Sequence, residues 1–342
     1  MRAFITGVAG PALTDAERAL LRAAQPWGLI VFARNVGGPE QLRRLTGEFR
    51  DIVGRDAPVL IDQEGGRVQR LGPPHWLQYP PAATYARLSE RDHAKGLAAA
   101  ALGGRLIAGD LVAVGIDVDC APVADLPVAQ ADPVIGDRAF GSEPKAVAAL
   151  AGAFARGLLE GGVLPVVKHM PGHGRATADS HKELPVVTAD RTTLEATDFA
   201  AFRRLADLPM AMTAHVMFTA IDPMAPATAS AAIVHDVIRG SIGFQGLLMC
   251  DDISMGALSG SLGERTRAVL AAGCDVALHC DGEIAAMEAM AAAAPLLEGE
   301  ASRRAAAALA KRQRPAPIDL AAKRAEFAAL MKSVWEPAQG WA

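Results

Sequence analysis

A closed (β/α)8 barrel is the fold class that the sequence predicts, and three observations predict it. Short apolar runs alternate with amphipathic stretches throughout, the pattern of a parallel α/β fold. Polar residues recur at the C-terminal ends of many different runs, where a barrel gathers its active site. The length, 342 residues, suits one barrel with insertions. An open doubly wound sheet fits less well, because its ligands concentrate at one switch point. Its phosphate cradle is also missing: Gly7-Val8-Ala9-Gly10-Pro11 lacks the required glycine spacing.

Eight runs read as strands: residues 3–8, 28–32, 59–62, 117–121, 164–168, 210–215, 247–251 and 276–279. Most are continuously apolar, as strands buried on both faces require. Thr14 and Glu17 have capping-box spacing ahead of the first helix, and Ser89 with Asp92 is a looser version. Ser142 is expected to cap a helix with Pro144 in its first turn, closed by Gly161 in a left-handed conformation. Thr192 and Glu195 repeat the capping-box spacing before Leu194, Phe199, Phe202 and Leu205. Ala-rich runs near Ala98 and Ala291 read as helix filler. After the eighth strand, helices near 284–293 and 302–311 lead to a break at Pro315-Ala316-Pro317 and a last helix around 320–334. The segment from about 301 to 334 is expected to pack outside the barrel. No linker or low-complexity block divides residues 1–342, which read as a single domain.

Composition narrows the function. The net charge is −4 and no block of Lys or Arg supplies a phosphate-binding face, which argues against a nucleic-acid partner. The N-terminus lacks the apolar stretch and cleavage site of a secretory signal, and no window reaches the roughly 18 apolar residues of a membrane span. Cys120, Cys250, Cys274 and Cys280 lie in or beside apolar segments without C-x-x-C spacing, so buried free thiols in a reducing compartment are expected. The chain reads as soluble, cytoplasmic and monomeric.

Three segments carry chemistry. The stretch from Lys168-His169-Met170-Pro171-Gly172-His173-Gly174-Arg175 through Asp179-Ser180-His181 to Leu184-Pro185 follows a strand and shows no helical or strand pattern. So long a loop in a compact domain is functional or disordered, and three histidines favour function. Asp179 and His181, separated by one residue, can face the same site; a carboxylate beside an imidazole fixes its tautomer and favours its protonated form. The bland alternative is that Asp179 and Ser180 cap a turn and His181 lies on the surface. In Leu247-Leu248-Met249-Cys250-Asp251-Asp252-Ile253-Ser254-Met255, Asp251 ends the seventh strand and should be ionised, as a carboxylate nucleophile must be. Asp252 is assigned to capping the following helix. In Asp62-Gln63-Glu64-Gly65-Gly66-Arg67-Val68-Gln69-Arg70, carboxylates and amides can grip sugar hydroxyls; an ion pair of Glu64 with Arg67 or Arg70 is the structural alternative. Arg138 is a further donor, whose alternative is pairing with Asp137.

With these segments in order along the chain, the sequence resembles the β-N-acetylglucosaminidases of glycoside hydrolase family 3, in particular the single-domain bacterial enzymes of peptidoglycan recycling. The resemblance covers nearly the whole chain and is weakest beyond about residue 285. Its most specific part is K-H-x-P-G-H-G…D-S-H…L-P, here Lys168 to Pro185, joined by Asp62 to Arg70 and Asp251 to Met255. The resemblance implies Asp251 as nucleophile, His181 as acid/base supported by Asp179, and Asp62, Arg70, Arg138, Lys168 and His169 as the residues holding the terminal sugar. It also implies a substrate, muropeptides carrying N-acetylglucosamine on anhydro-N-acetylmuramic acid, cleaved in the cytoplasm without metal or other cofactor. Met170 and Arg175 depart from the pattern of many relatives, which have Phe and a residue other than Arg there. Two rival readings are a metal-dependent barrel hydrolase, with His169, His173, His181, His215 and Asp251 as ligands, and a non-enzymatic sugar-binding barrel.

Overall fold

The computed structural model describes residues 1–315 and 317–336, so Ala316, in the middle of the expected Pro-Ala-Pro break, lies outside the described residues. Eight parallel strands close on themselves in chain order: β1 (Arg2–Thr6), β2 (Pro26–Val31), β3 (Val59–Ile61), β4 (Val118–Asp119), β5 (Leu164–Met170), β6 (Met210–Thr213), β7 (Leu247–Asp252) and β8 (Val276–His279). β8 returns to β1 with Phe4 opposite Ala277 and Thr6 opposite His279. Each expected run overlaps one of these strands, although β1 and β2 begin one and two residues earlier and β5 and β7 end two and one residues later. Every residue of β2, β5 and β8 is buried, which is why their patterns are apolar throughout rather than alternating. β4 is shorter than expected because Pro122 lacks an N–H for the ladder. Pairing continues irregularly past it, through Cys120 N–H to Ile61 O and Ala124 N–H to Lys168 O.

The helices follow their strands: α1 (Asp15–Ala24), α2 (Pro39–Val53), α3 (Ala82–Arg91), α4 (His93–Val112), α5 (Pro144–Glu160), α6 (Arg191–Ala196), α7 (Asp198–Arg203), a π-helix at Ile233–Ser241, α8 (Leu262–Ala272), α9 (Ile284–Ala293), α10 (Gly299–Ala310) and α11 (Leu320–Met331). The Thr14–Glu17 capping box is present in full. Other expected caps are displaced by one to three residues. Asp92 itself caps α4 while Ser89 lies inside α3, Glu143 rather than Ser142 caps α5, and Asp190 rather than Thr192 caps α6. In each case a carboxylate one to three residues away captures the free amide, a strong acceptor at a helix N-terminus. Gly161 is right-handed, and the left-handed turn falls at Gly162, φ +85°.

The Ala-rich run of α4 does more than fill a helix. Small residues let α4 and α5 touch backbone to backbone: a Cβ on Gly157 would lie 2.0 Å from Ala101 O, and one on Gly104 2.2 Å from Phe154 O. α11 packs against α4, and its Phe327 ring lies tilted against Tyr85 of α3 at 6.1 Å between ring centroids. Among the described residues no helix is long and apolar enough to cross a membrane. All four cysteines are free; three are buried and Cys280 is partly exposed.

Two small sheets sit on loops that leave the C-terminal ends of the barrel strands. The hairpin of Gln63–Gly65 and Val68–Gln69 follows β3. The second sheet pairs Val186–Val187 with Met217–Phe218 and so stitches the loop after β5 to the loop after β6.

Candidate active site

The C-terminal strand ends surround a cavity of about 420 Å³, and all eight sequence-predicted site residues line it: Asp62, Arg70, Arg138, Lys168, His169, Asp179, His181 and Asp251. β5 and β7 supply Lys168, His169 and Asp251 directly. Asp62 and Arg70 flank the hairpin after β3, and Arg138 ends a single 3-10 turn, Gly136–Arg138. The dyad comes from the loop after β5.

One side of the cavity is a buried lattice of opposite charges. The Lys168 ammonium lies 2.8 Å from Asp62 and 2.7 Å from Glu64. Arg70 pairs with Asp62 at 3.0 Å, and Arg138 grips Glu64 through two parallel bonds of 2.8 Å. The pairings differ from both alternatives considered for these arginines. Glu64 takes Arg138 rather than Arg67 or Arg70, and Asp137 takes Arg67 at 3.0 Å. Arg67 also donates to the carbonyls of Pro133, Val134 and Ile135, so it clamps the loop that presents Arg138. Burial pushes the Asp62 and Glu64 carboxyls up, but the charges of Lys168 with Arg70 and Arg138 outweigh it and hold both below the usual carboxylate range. Phe32 joins the wall, with Arg34 and Arg70 stacked 5.0 and 5.3 Å from its ring centre.

Asp251 stands apart from this lattice. Its Oδ1 accepts from the Asp252 N–H at 2.8 Å, and Oδ2 has no hydrogen-bond partner among the described residues. Burial raises its pKa, yet charges on His169, His215 and Lys168 and the Asp252 amide hold it below the ordinary value. Asp252 is fully occupied: its carboxylate accepts from Ser254 N–H, Ser254 O–H and Cys280 N–H. It therefore caps a turn, not the following helix, which Ser261 caps. His215 Nε2 donates to the Asp252 carbonyl at 2.9 Å.

Residues outside the predicted set fix the predicted ones. The buried Asp125 accepts from His169 Nδ1–H at 2.7 Å and from the His173 N–H at 2.7 Å, anchoring the start of the loop. Its place beyond the fourth strand, among the polar residues at strand ends, is the signal for it. His173 Nε2 shares a 3.0 Å hydrogen bond with Ser180 Oγ, and burial with the charge of His169 lowers its pKa to about 4. It is therefore neutral at pH 7. Arg175 faces away from the cavity: it binds Asp198 at 2.6 Å and the Thr197 hydroxyl at 3.0 Å, tying the loop to the junction of α6 and α7.

The dyad forms as the spacing suggests. Asp179 Oδ1 accepts from both the backbone N–H of His181 at 3.0 Å and its ring Nδ1–H at 2.7 Å. That bond leaves Nε2 as the nitrogen able to exchange a proton. His181 is 65% exposed and Asp179 22%, so the pair sits at the rim. The four histidines of the metal reading each have a ring nitrogen bonded to a protein atom. Among the described residues no group of three His, Cys, Asp or Glu side chains is arranged to hold a metal ion.

Comparison with known proteins agrees with this geometry. The sequence profile of the glycosyl hydrolase family 3 N terminal domain matches residues 5–311. The chain is 42% identical over 282 residues to a β-hexosaminidase of Alkalilimnicola ehrlichii, covering 81% of this chain and 80% of that one. It is 38% identical over 317 residues to a β-hexosaminidase of Aromatoleum aromaticum, covering 92% and 88%. The crystal structure of NagZ from Neisseria gonorrhoeae in complex with N-trifluoroacetyl-D-glucosamine superposes with a TM-score of 0.84 at 31% identity, over 97% of each chain. With its barrel, its ring of strand-end carboxylates and a profile match spanning all eight strands except the start of the first, this chain belongs to glycosyl hydrolase family 3.

Proposed function

We propose that the chain is a retaining β-N-acetylglucosaminidase that removes terminal N-acetylglucosamine from muropeptides bearing anhydro-N-acetylmuramic acid, in the cytoplasm and during cell-wall recycling. The observation that carries the reading is one cavity holding an ionised carboxylate with a free oxygen, Asp251, and a carboxylate-oriented imidazole, His181. The β-hexosaminidase relatives and the N-acyl glucosamine bound by the gonococcal protein support the choice of sugar.

In this mechanism Asp251 Oδ2 bonds to the anomeric carbon as the glycosidic C–O bond breaks, and His181 Nε2–H gives its proton to the departing oxygen. The sugar remains as an ester of Asp251. Water then attacks the same carbon, gives a proton to His181 Nε2 and releases the carboxylate. Asp179 holds the imidazole and stabilises its charged form. Proton transfer of this kind contributes about 10²–10⁴-fold in rate. Asp62, Arg70, Arg138, Lys168 and His169 hold the hydroxyls of the terminal sugar, their charges already paired before it arrives. Histidine as second member means that the separation rule for paired carboxyls does not report the stereochemistry. It has to be measured.

The first sugar released from an aryl β-N-acetylglucosaminide should be the β-anomer by NMR, with chelator present. A slowly released fluorinated N-acetylglucosaminide with an activated leaving group should label the peptide containing Asp251. Asp251→Ala should lower kcat/KM by about 10⁴-fold or more with an unchanged melting temperature. First-formed α-anomer, or a label on another residue, would overturn the mechanism. Tight saccharide binding without turnover would favour the sugar-binding barrel.

A further inference from the structure

We propose that Gly256 is the positioning residue that docks the His181 loop against the segment carrying Asp251; the proposal rests on His181 being the acid/base. Residues 253–258 continue directly from β7, whose last residues are Asp251 and Asp252. Asp252 binds the backbone and hydroxyl of Ser254, and its carbonyl accepts from Met255 N–H at 3.2 Å. From α8, Arg265 donates to the carbonyls of Ile253 and Met255 at 2.8 and 3.2 Å. The segment is thus braced from both ends.

Against it lies the turn that carries the dyad. Gly256 N–H donates to His181 O and Ala257 N–H to Ser180 O, each at 3.2 Å. The turn closes on itself through Lys182 and Glu183 N–H to Asp179 O, at 2.9 and 3.2 Å. On its far side it is held by the Ser180–His173 bond. The approach at Gly256 is too close for any side chain: a Cβ there would lie 2.5 Å from Lys182 O and 3.0 Å from His181 O. Both are backbone atoms, so the turn itself has to move away.

The consequence is geometric. The nucleophile and the docking amides belong to one short run of chain, so seating the turn on Gly256 sets His181 relative to Asp251. Gly256 is exposed and not in the left-handed region, so exchanging it for alanine removes no core contact and strains no backbone. Only the seat is lost. Sugar binding on the Lys168 side is untouched, and proton transfer is what suffers.

Gly256→Ala tests this with aryl β-N-acetylglucosaminides of differing leaving group, read as kcat/KM, which reports steps up to departure of the aglycone. For the phenyl glycoside, which needs a proton, kcat/KM should fall about tenfold to 10²-fold. For the 2,4-dinitrophenyl glycoside, which scarcely needs one, it should stay within about twofold. Competitive inhibition by N-acetylglucosamine should be unchanged. Equal losses on both substrates, or none, overturn the proposal. A second measurement needs no variant: in the unaltered chain the amide of Gly256, an exposed residue, should exchange hydrogen slowly, and fast exchange there overturns the dock. His181→Ala runs alongside. If that variant shows no leaving-group dependence the acid/base reading has failed, and amide exchange alone then judges the dock.

Discussion

The two sides of the cavity are built in opposite ways. On one side, Asp62, Glu64, Arg70, Arg138 and Lys168 form a paired lattice in which the Lys168 side chain is 3% exposed and every carboxylate has two cationic partners. On the other, Asp179 and His181 hang on a turn seated by two backbone hydrogen bonds and one side-chain bond, with the imidazole mostly in water. The first arrangement belongs to folding, because charges so deeply placed are tolerable only when paired. The second suits the proposed turnover, in which a group that meets both an aglycone and a water molecule sits where they enter. Stability and rate should therefore be separable between the two sides.

At the exposed side the effect expected is on rate. Asp179→Ala removes the acceptor that fixes the His181 tautomer, and kcat/KM for a phenyl glycoside should drop about 10²-fold. Thermal unfolding should register the change much less, at about 1 kcal/mol or below, since the bonds lost are those to a mostly exposed His181. A large loss of stability in this variant would break the contrast. On the buried side the order reverses. Lys168→Met leaves Asp62 and Glu64 facing each other with one arginine apiece, and denaturant unfolding should show a loss of about 3 kcal/mol. A stability equal to that of the unaltered chain would mean the lattice is hydrated enough to screen itself.

The same contrast explains what could be read from the amino-acid order. Barrel strands were legible because burial on both faces leaves a continuous apolar run, as in Leu164-Pro165-Val166-Val167. The dyad was legible because a single residue separates its members. The lattice was not, since Glu64 and Arg138 meet across 74 residues and nothing local distinguishes that pairing from Glu64 with Arg67. Caps failed for a local reason: Ser142 and Glu143, or Asp190 and Thr192, are competing acceptors a residue or two apart, and tertiary packing chooses where the helix starts. Arg175 lies in the loop yet points at Asp198, a partner that only the α6–α7 junction brings near.

A last, smaller effect sharpens the boundary of the lattice. Asp119 lies beneath it, its Oδ1 accepting from Gln63 N–H at 2.9 Å and its Oδ2 buried without a partner. Burial holds this carboxyl well above the usual range, opposite to Asp62 and Glu64. The signs for stability are therefore opposite too. Asp62 and Glu64 bind protons less readily folded than unfolded, so their contribution is full above the ordinary carboxylate range and is lost as the pH falls below it. Asp119 binds its proton more readily when folded, so its contribution is full below the unfolded value and is lost as the pH rises towards the folded one. Asp119→Asn keeps the shape of the neutral acid and cannot ionise. Compared with the unaltered chain, it should gain stability at pH 7 relative to pH 4, measured by thermal unfolding at both. Parallel pH profiles for the two proteins would mean that Asp119 is already charged in the fold, and that the lattice includes the strand lying between its ion pairs.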